Sequence, residues 1–410
     1  MAAARLPRAT RALSTLPPSA RAAIGLDARN IPHWPVLFTP GPLTLSASTK
    51  AAMLRDVGSR DGTFTRVVAD IRAQLLALAG VAAPAHECVI VQGAGTMGVE
   101  AVIGSAVPRG GRLLVGANGA YGERMLAIAR ALNIDAVAVR GPERAPLDVR
   151  AVAAAAAADA AVTHVAVVHH ETTAGVLNDV PALGAALAAQ PRAPALIVDA
   201  MSSFGAHQFD AARARAAFIV SSANKCIEGV PGFSFVIAER AALAACAGRA
   251  RSLALDLHAQ AAGLAAGGQF RFTPPTHALL AFSEALREHA AEGGAAGRLA
   301  RYARTRAALL RGMARLGFAP YVPAPAAGEI ITTFLAPRDA RFDFPAAYAA
   351  LAARGFVLYP GKMAKADSFR IGSIGRIFEA DADALVAAFE EVLVAQGVKL
   401  PVTQIEAPEE

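Results

Sequence analysis

The sequence predicts an α/β fold: a large unit on a mostly parallel seven-stranded sheet, then a smaller C-terminal α+β unit. Three observations carry this. Seven short, continuously apolar runs recur between residues 88 and 238, and helical stretches separate most of them. The residues just after the runs are small or polar. Beyond about residue 290 the texture changes to amphipathic helices interleaved with short strand-like runs. Strands that are apolar throughout and alternate with helices belong to parallel sheets covered on both faces.

In chain order, residues 1–30 hold five arginines against one acid, Asp27. This acid-poor stretch fits either a transit peptide or an extension outside the fold. A disordered extension over residues 1–35 is the expectation. The regular pattern starts near residue 36. The strand-like runs are CVIVQ (88–92), RLLVGA (112–117), DAVAVR (135–140), HVAVVH (164–169), ALIVDA (195–200), AAFIVSS (216–222) and FSFVIA (233–238). GVEAVIGSA, YGERMLAIARALN and VPALGAALAAQ read as intervening helices. The last two runs are joined by too short a segment for a crossover helix, so an antiparallel neighbour is expected there. GRLARYARTRAALLRGMARLGF opens the second unit as a long amphipathic helix. EIITTFLAP, the helix FPAAYAALAARG, FVLYPG, FRIGSIG and the helix DADALVAAFEEVLVAQ follow. The expected division is a large domain over 36–290, a small domain over 291–398 and a flexible acidic tail over 399–410.

The chain has 410 residues, 54% apolar and 18% charged, which describes a compact protein with a sizeable core. The formal charge of +7 comes largely from the N-terminal arginines. No basic run with interleaved aromatics remains, so nucleic acid is not an expected partner. No apolar run reaches the ~18 residues of a membrane span. Cys88, Cys226 and Cys246 form no CxxC pair; Cys88 and Cys226 lie in apolar surroundings and read as buried thiols, which fits a reducing cytoplasm. No metal site is expected.

In sheets of this kind ligands bind beyond the carboxyl ends of the strands. The segments there are GAGT, NGAYG, HETT, DAMSS and SANK. Lys225, in SSANKCIEGVPG, is one of five lysines and lies between two apolar runs. A snorkelling surface lysine is one reading. The other is a desolvated amine whose lowered pKa makes it a nucleophile for carbonyls. Asp199 ends a buried strand 26 residues earlier, where a lone carboxylate needs a partner. That partner is either a buried ion pair or cap, or the protonated ring nitrogen of a cofactor acting as an electron sink. GAGTMGVEA opens a helix with glycines, which reads either as a plain strand-to-helix turn or as a cradle that suits a single phosphate better than a dinucleotide. Tyr121, after the next strand, reads either as an aromatic that stacks on a flat ring or as a tyrosine at a turn surface. Arg370, among small residues in SFRIGSIG, has its fork free to clamp a carboxylate, though an ordinary surface arginine reads the same way.

Together these stretches resemble the fold-type I, class V aminotransferases that use pyridoxal 5'-phosphate (PLP). The matching segments include FTPGPLTLS, VIVQGAGTMGVEAVIGS, NGAYGERM, VHHETTAGVLN, IVDAMSSFGA, SSANKCIEGVPGFSFVIA, RSLALDL, RFTPPTHALLAF, VLYPGK and FRIGSIG. The resemblance implies that Lys225 carries the cofactor and moves the substrate proton, and that Asp199 pairs with the ring nitrogen. It implies that Tyr121 stacks on the ring and that Thr172 contacts the ring hydroxyl. Gly95 and Thr96 would hold the phosphate, joined by Thr276 from the neighbouring subunit of a homodimer. Arg370 would bind the substrate carboxylate. Ala94 departs from the family, where serine is common, so a hydroxyl contact is lost there. The narrower resemblance is to members that pass the amino group of 2-aminoethylphosphonate to pyruvate in phosphonate breakdown. Serine– or alanine–glyoxylate transamination on the same scaffold is the alternative. SRDGTF (59–64) matches the family only loosely.

Overall fold

The computed structural model describes residues 34–208, 211–363 and 366–407. The N-terminal extension, apart from its last two residues, lies outside them. The main sheet has seven strands: β1 (His86–Gln92), β2 (Arg112–Ala117), β3 (Asp135–Arg140), β4 (Val162–Val168), β5 (Ala195–Asp199), β6 (Ala216–Ser222) and β7 (Phe233–Glu239). Their order is β1-β7-β6-β5-β4-β2-β3. All pairings are parallel except those of β7, which runs antiparallel to both β1 and β6. Residues 223–232 alone join β6 to β7, too few for a crossover helix, so the chain turns back beside itself.

The apolar runs become strands because helices cover both faces. β6 is buried at every position and β5 at all but its first, while the edge strand β3 alternates exposed and half-buried. The helix Gly95–Ala106 lies close on the sheet at Gly98, where a Cβ would meet Ser234 Oγ at 2.7 Å. Six parallel strands thus share one carboxyl edge.

A second core forms around the antiparallel strands β8 (Ile331–Leu335), β9 (Tyr359–Pro360) and β10 (Ser368–Gly372). The helices Gly294–Arg315, Phe344–Ala353 and Glu379–Ala395 enclose it. Phe318, Phe334, Phe369 and Phe389 pack there at centroid separations of 5.5–6.1 Å.

Two boundaries differ from the sequence expectation. Val36–Leu37 pairs with Phe356–Val357, and Phe38 sits in the second core, so the segment expected to begin the large domain crosses to the other unit. Residues 399–407, expected as part of a loose tail, are docked. The Val402 amide donates to Leu316 O, Val402 is buried, and Gln404 bridges to Pro337. Leu400 and Val402 on the second core, and Ile405 and Ala407 on a neighbouring apolar cluster, supply the anchor. Among the described residues no helix is long and apolar enough to cross a membrane, and no cluster of His, Cys, Asp and Glu is arranged to hold a metal ion.

Candidate active site

The carboxyl edge of the sheet holds a cavity of about 180 Å³. Its walls include Gly95, Thr96, Tyr121, Thr172, Asp199 and Lys225. Six residues singled out from sequence therefore meet in one place. They do so because each follows the end of a parallel strand: β1, β2, β4, β5 and β6 in turn.

Lys225 follows β6 in a turn closed by Glu228 N donating to Lys225 O (2.8 Å) and Gly229 N to Ala223 O (2.9 Å). Its Nζ donates to Pro40 O at 2.7 Å. The approach depends on Gly41, whose φ is +127° and where a Cβ would lie 2.9 Å from that Nζ. Burial pushes the Lys225 amine below its usual range, while Tyr121, Cys226 and Asp199 hold it partly up. The turn is clamped from behind. Arg298 Nη1 donates to Cys226 O at 2.6 Å, and Tyr302 Oη donates to Glu228 Oε1 at 2.6 Å. Glu228 has a φ of 64°, so this turn is held in a conformation that side chains seldom adopt.

Asp199 ends β5. Its Oδ1 accepts the Met201 amide at 2.9 Å, and its other oxygen has no protein donor among the described residues. Burial, against that bond and with the Glu171 charge adding, pushes its carboxyl up to about 6. The charges of Lys225 and Arg124 pull the other way. The carboxylate thus lacks a counter-charge in direct contact.

Two helix starts face this edge and differ in how they are satisfied. The helix Ala120–Ala131 is filled by the chain's own Glu171, whose Oε2 accepts from Tyr121 N (3.2 Å) and Gly122 N (3.3 Å). Gly119 leaves room for it, since a Cβ there would lie 2.5 Å from the Glu171 carboxyl carbon. The helix Gly95–Ala106 has Ala94 at its cap position and no side chain capping it. Its first amides and partial positive charge therefore face the cavity mouth. Thr96 Oγ1 accepts from Arg124 Nη1 at 3.2 Å, which adds a full charge beside these amides.

Tyr121 gathers cations. Lys362 Nζ lies 3.8 Å and the Arg124 guanidinium carbon 4.7 Å from its ring centroid. Burial alone raises its hydroxyl, but Lys225, Lys362, a hydrogen bond with Thr172 and Arg370 together bring it below the usual range. Arg370, on β10, is 5% exposed and so is no surface arginine. Its Nε donates to Pro360 O and its Nη1 to Thr172 O, both at 3.0 Å. It lies beside the cavity, joined to Thr172 and Tyr121, without forming its wall.

Thr276 stands apart. It opens the helix Thr276–Ala291, its amide donates to Pro274 O, and it does not line the cavity. Sequence reasoning missed Arg124, Glu171 and Lys362. Arg124 lies three residues after Tyr121 on one helix, a spacing that shares a face and was available as a signal. Glu171 sits inside the HETT segment, directly before Thr172. Nothing local marks Lys362.

A doubly covered sheet with a desolvated lysine, an unpaired buried aspartate and an open helix start at one edge defines a class of cofactor-dependent transferase. Residues 44–339 match the family described as aminotransferase class-V, and the chain belongs to that family. It is 48% identical over 366 residues to a 2-aminoethylphosphonate–pyruvate transaminase of Burkholderia mallei (strain ATCC 23344), covering 89% of this chain and 98% of the relative. The transaminase of the same name from Rhizobium meliloti (strain 1021) is 47% identical over 364 residues, covering 89% and 94%. Among solved structures, an alanine–glyoxylate aminotransferase from Nostoc sp. superposes with a TM-score of 0.82 at 23% identity, over 90% of this chain and 97% of that one. A pyridoxamine–pyruvate aminotransferase from Mesorhizobium loti gives 0.79 at 24%, over 90% and 94%. At such identities these two show the shared fold alone.

Proposed function

We propose that this chain transfers the amino group of 2-aminoethylphosphonate to pyruvate, giving phosphonoacetaldehyde and L-alanine, with PLP as cofactor. The observation that carries the substrate reading is the near-full-length identity to transaminases of that name.

The donor set of the cavity fits the cofactor. The uncapped amides of Gly95 and Thr96, the Thr96 hydroxyl and Arg124 suit a phosphate. The free oxygen of Asp199 suits a protonated ring nitrogen, which would supply the counter-charge that the carboxylate lacks. Tyr121 offers a ring for stacking and Thr172 a hydroxyl. When bound, PLP supplies an electron sink for the substrate's reacting carbon. Lys225 contributes a desolvated amine that is uncharged at lower pH than an exposed lysine, and so acts both as nucleophile and as the base that holds the proton leaving that carbon. Asp199 keeps the ring nitrogen protonated. Arg370 holds the pyruvate carboxylate, its fork oriented by two backbone carbonyls. Thr276, remote from its own cavity, is assigned to the phosphate of the neighbouring subunit, which requires a homodimer. Three buried, free thiols suit a reducing cytoplasm.

One pocket must serve both substrates in turn, so the kinetics should be ping-pong. The test is a panel of amino donors followed by cofactor absorbance in single turnover. Conversion by 2-aminoethylphosphonate, regenerated by pyruvate, is expected. Conversion by serine or alanine with glyoxylate, without response to 2-aminoethylphosphonate, overturns the reading.

A further inference from the structure

We infer that Lys362 is the residue that recognises the phosphonate of the amino donor, beside Arg370. This rests on the substrate reading above and extends it from the reaction to the chemistry that selects the donor.

The site must neutralise two anions of different charge. Pyruvate presents a monoanionic carboxylate. A phosphonate loses its second proton near neutral pH and then presents two charges on three oxygens. The open start of helix Gly95–Ala106 and Arg124 on Thr96 would hold the cofactor phosphate. Among the described residues Lys362 and Arg370 then stand at Tyr121 for the substrate, and both arrive from the second unit. Tyr359 pairs with Arg370 across β9 and β10, and Lys362 follows β9 by two residues. One strand pair therefore delivers both to Tyr121, Lys362 over its ring and Arg370 at its hydroxyl. Lys362 Nζ stands 3.8 Å from the Tyr121 ring centroid, and Arg370 reaches the Tyr121 hydroxyl.

Neither cation is neutralised by the protein. Among the described residues no carboxylate lies within ion-pair distance of Lys362 or Arg370. Arg370 spends Nε and Nη1 on the carbonyls of Pro360 and Thr172, which orients the fork but leaves its charge uncompensated. Lys362 rests on an aromatic face, an attraction that holds an ammonium without cancelling its charge. An arginine alone matches a planar carboxylate. A tetrahedral dianion has a third oxygen and a second charge, and a compact ammonium suits both. Lys362 also perturbs the Tyr121 hydroxyl, as expected for a cation directed at this edge of the site.

The test compares Lys362→Gln and Lys362→Arg with the wild-type holoenzyme. For Lys362→Gln the KM for 2-aminoethylphosphonate should rise about tenfold or more, the loss of one charge-assisted contact. The KM for pyruvate should move far less. Lys362→Arg should recover most of the loss. In the wild type, affinity for the donor should strengthen as pH rises through the second phosphonate ionisation, and Lys362→Gln should flatten that dependence. Calorimetry with ethylphosphonate, which lacks the amine and cannot react, should show the same weakening, while propanoate binding should not. Cofactor affinity, read by absorbance titration, separates this role from simple support of Tyr121. Equal increases in both KM values, loss of cofactor affinity alone, or no change in ethylphosphonate binding would each overturn the inference. A wild type that does not accept 2-aminoethylphosphonate overturns the substrate reading and this inference together. A wild type that accepts it, with Lys362→Gln unaffected, overturns the inference only.

Discussion

Replacing Arg301 by methionine should destabilise the protein by about 3–5 kcal/mol, the usual result of breaking a buried ion pair from one side. Arg301 is 2% exposed. Its Nε meets Glu292 Oε1 at 2.5 Å, its Nη2 meets Glu228 Oε1 at 2.7 Å, and its Nη1 donates to Gly375 O. Arg298, 3.4 Å from Glu228 and 2.7 Å from Glu292, is the only other cation paired with these carboxylates among the described residues. Without Arg301, buried Glu228 and partly buried Glu292 share one guanidinium, which leaves an uncompensated charge, and the Gly375 carbonyl keeps only the Ile377 amide. Arg304, one turn further along the same helix, provides the control. It pairs with Glu379 at 3.0 Å, but the two side chains are 60% and 41% exposed. Solvent screens such a pair, so Arg304→Met should cost about 0–1 kcal/mol. Urea denaturation of the holoenzyme, with coincident fluorescence and circular dichroism transitions, reads both. Glu228→Gln added to Arg301→Met should recover part of the loss, because it removes the stranded charge. If Arg301→Met costs no more than Arg304→Met, the cluster is not an energetically coupled unit and the reasoning fails. The cluster joins the Lys225 turn to the loop after β10, so Arg301→Met should also lower kcat.

Asp199→Asn carries a sign that depends on pH. The carboxyl's folded value of about 6 lies above its ordinary 3.8, so the folded chain without cofactor holds its proton longer than the unfolded one. Its contribution to stability therefore falls as pH rises from about 4 to about 6 and stays lost above, a total of roughly 3 kcal/mol. Cofactor-stripped Asp199→Asn should be more stable than wild type at pH 8 and indistinguishable near pH 4, while the holoenzyme turns over roughly ten- to a thousandfold more slowly. A melting series in which the two proteins keep the same separation from pH 4 to pH 8 contradicts the burial argument. Lys225→Ala should retain less than about a thousandth of turnover with an unchanged far-ultraviolet spectrum; greater residual transamination removes Lys225 from its assigned role.

What sequence could reveal here was local. The continuous apolar runs and the helices between them obey short-range periodicities, so the seven strands were legible, including the antiparallel β7, whose connection is too short for a crossover. The convergence of Thr96, Tyr121, Thr172, Asp199 and Lys225 follows from one rule, because residues ending parallel strands share an edge wherever the strands are placed. The order of those strands, and so which loops are neighbours, is a matter of long-range pairing that no local period encodes. Tertiary structure alone brought Arg298 and Arg301 from residues far along the chain to hold the Lys225 turn. It alone placed Lys362 on Tyr121, filled the Ala120–Ala131 helix start with Glu171 while leaving the Gly95–Ala106 start open, and seated Phe38 and Val402 in the second core. Each of these depends on burial that makes charge and apolar area count, and burial is a property of the packed chain rather than of any segment of it.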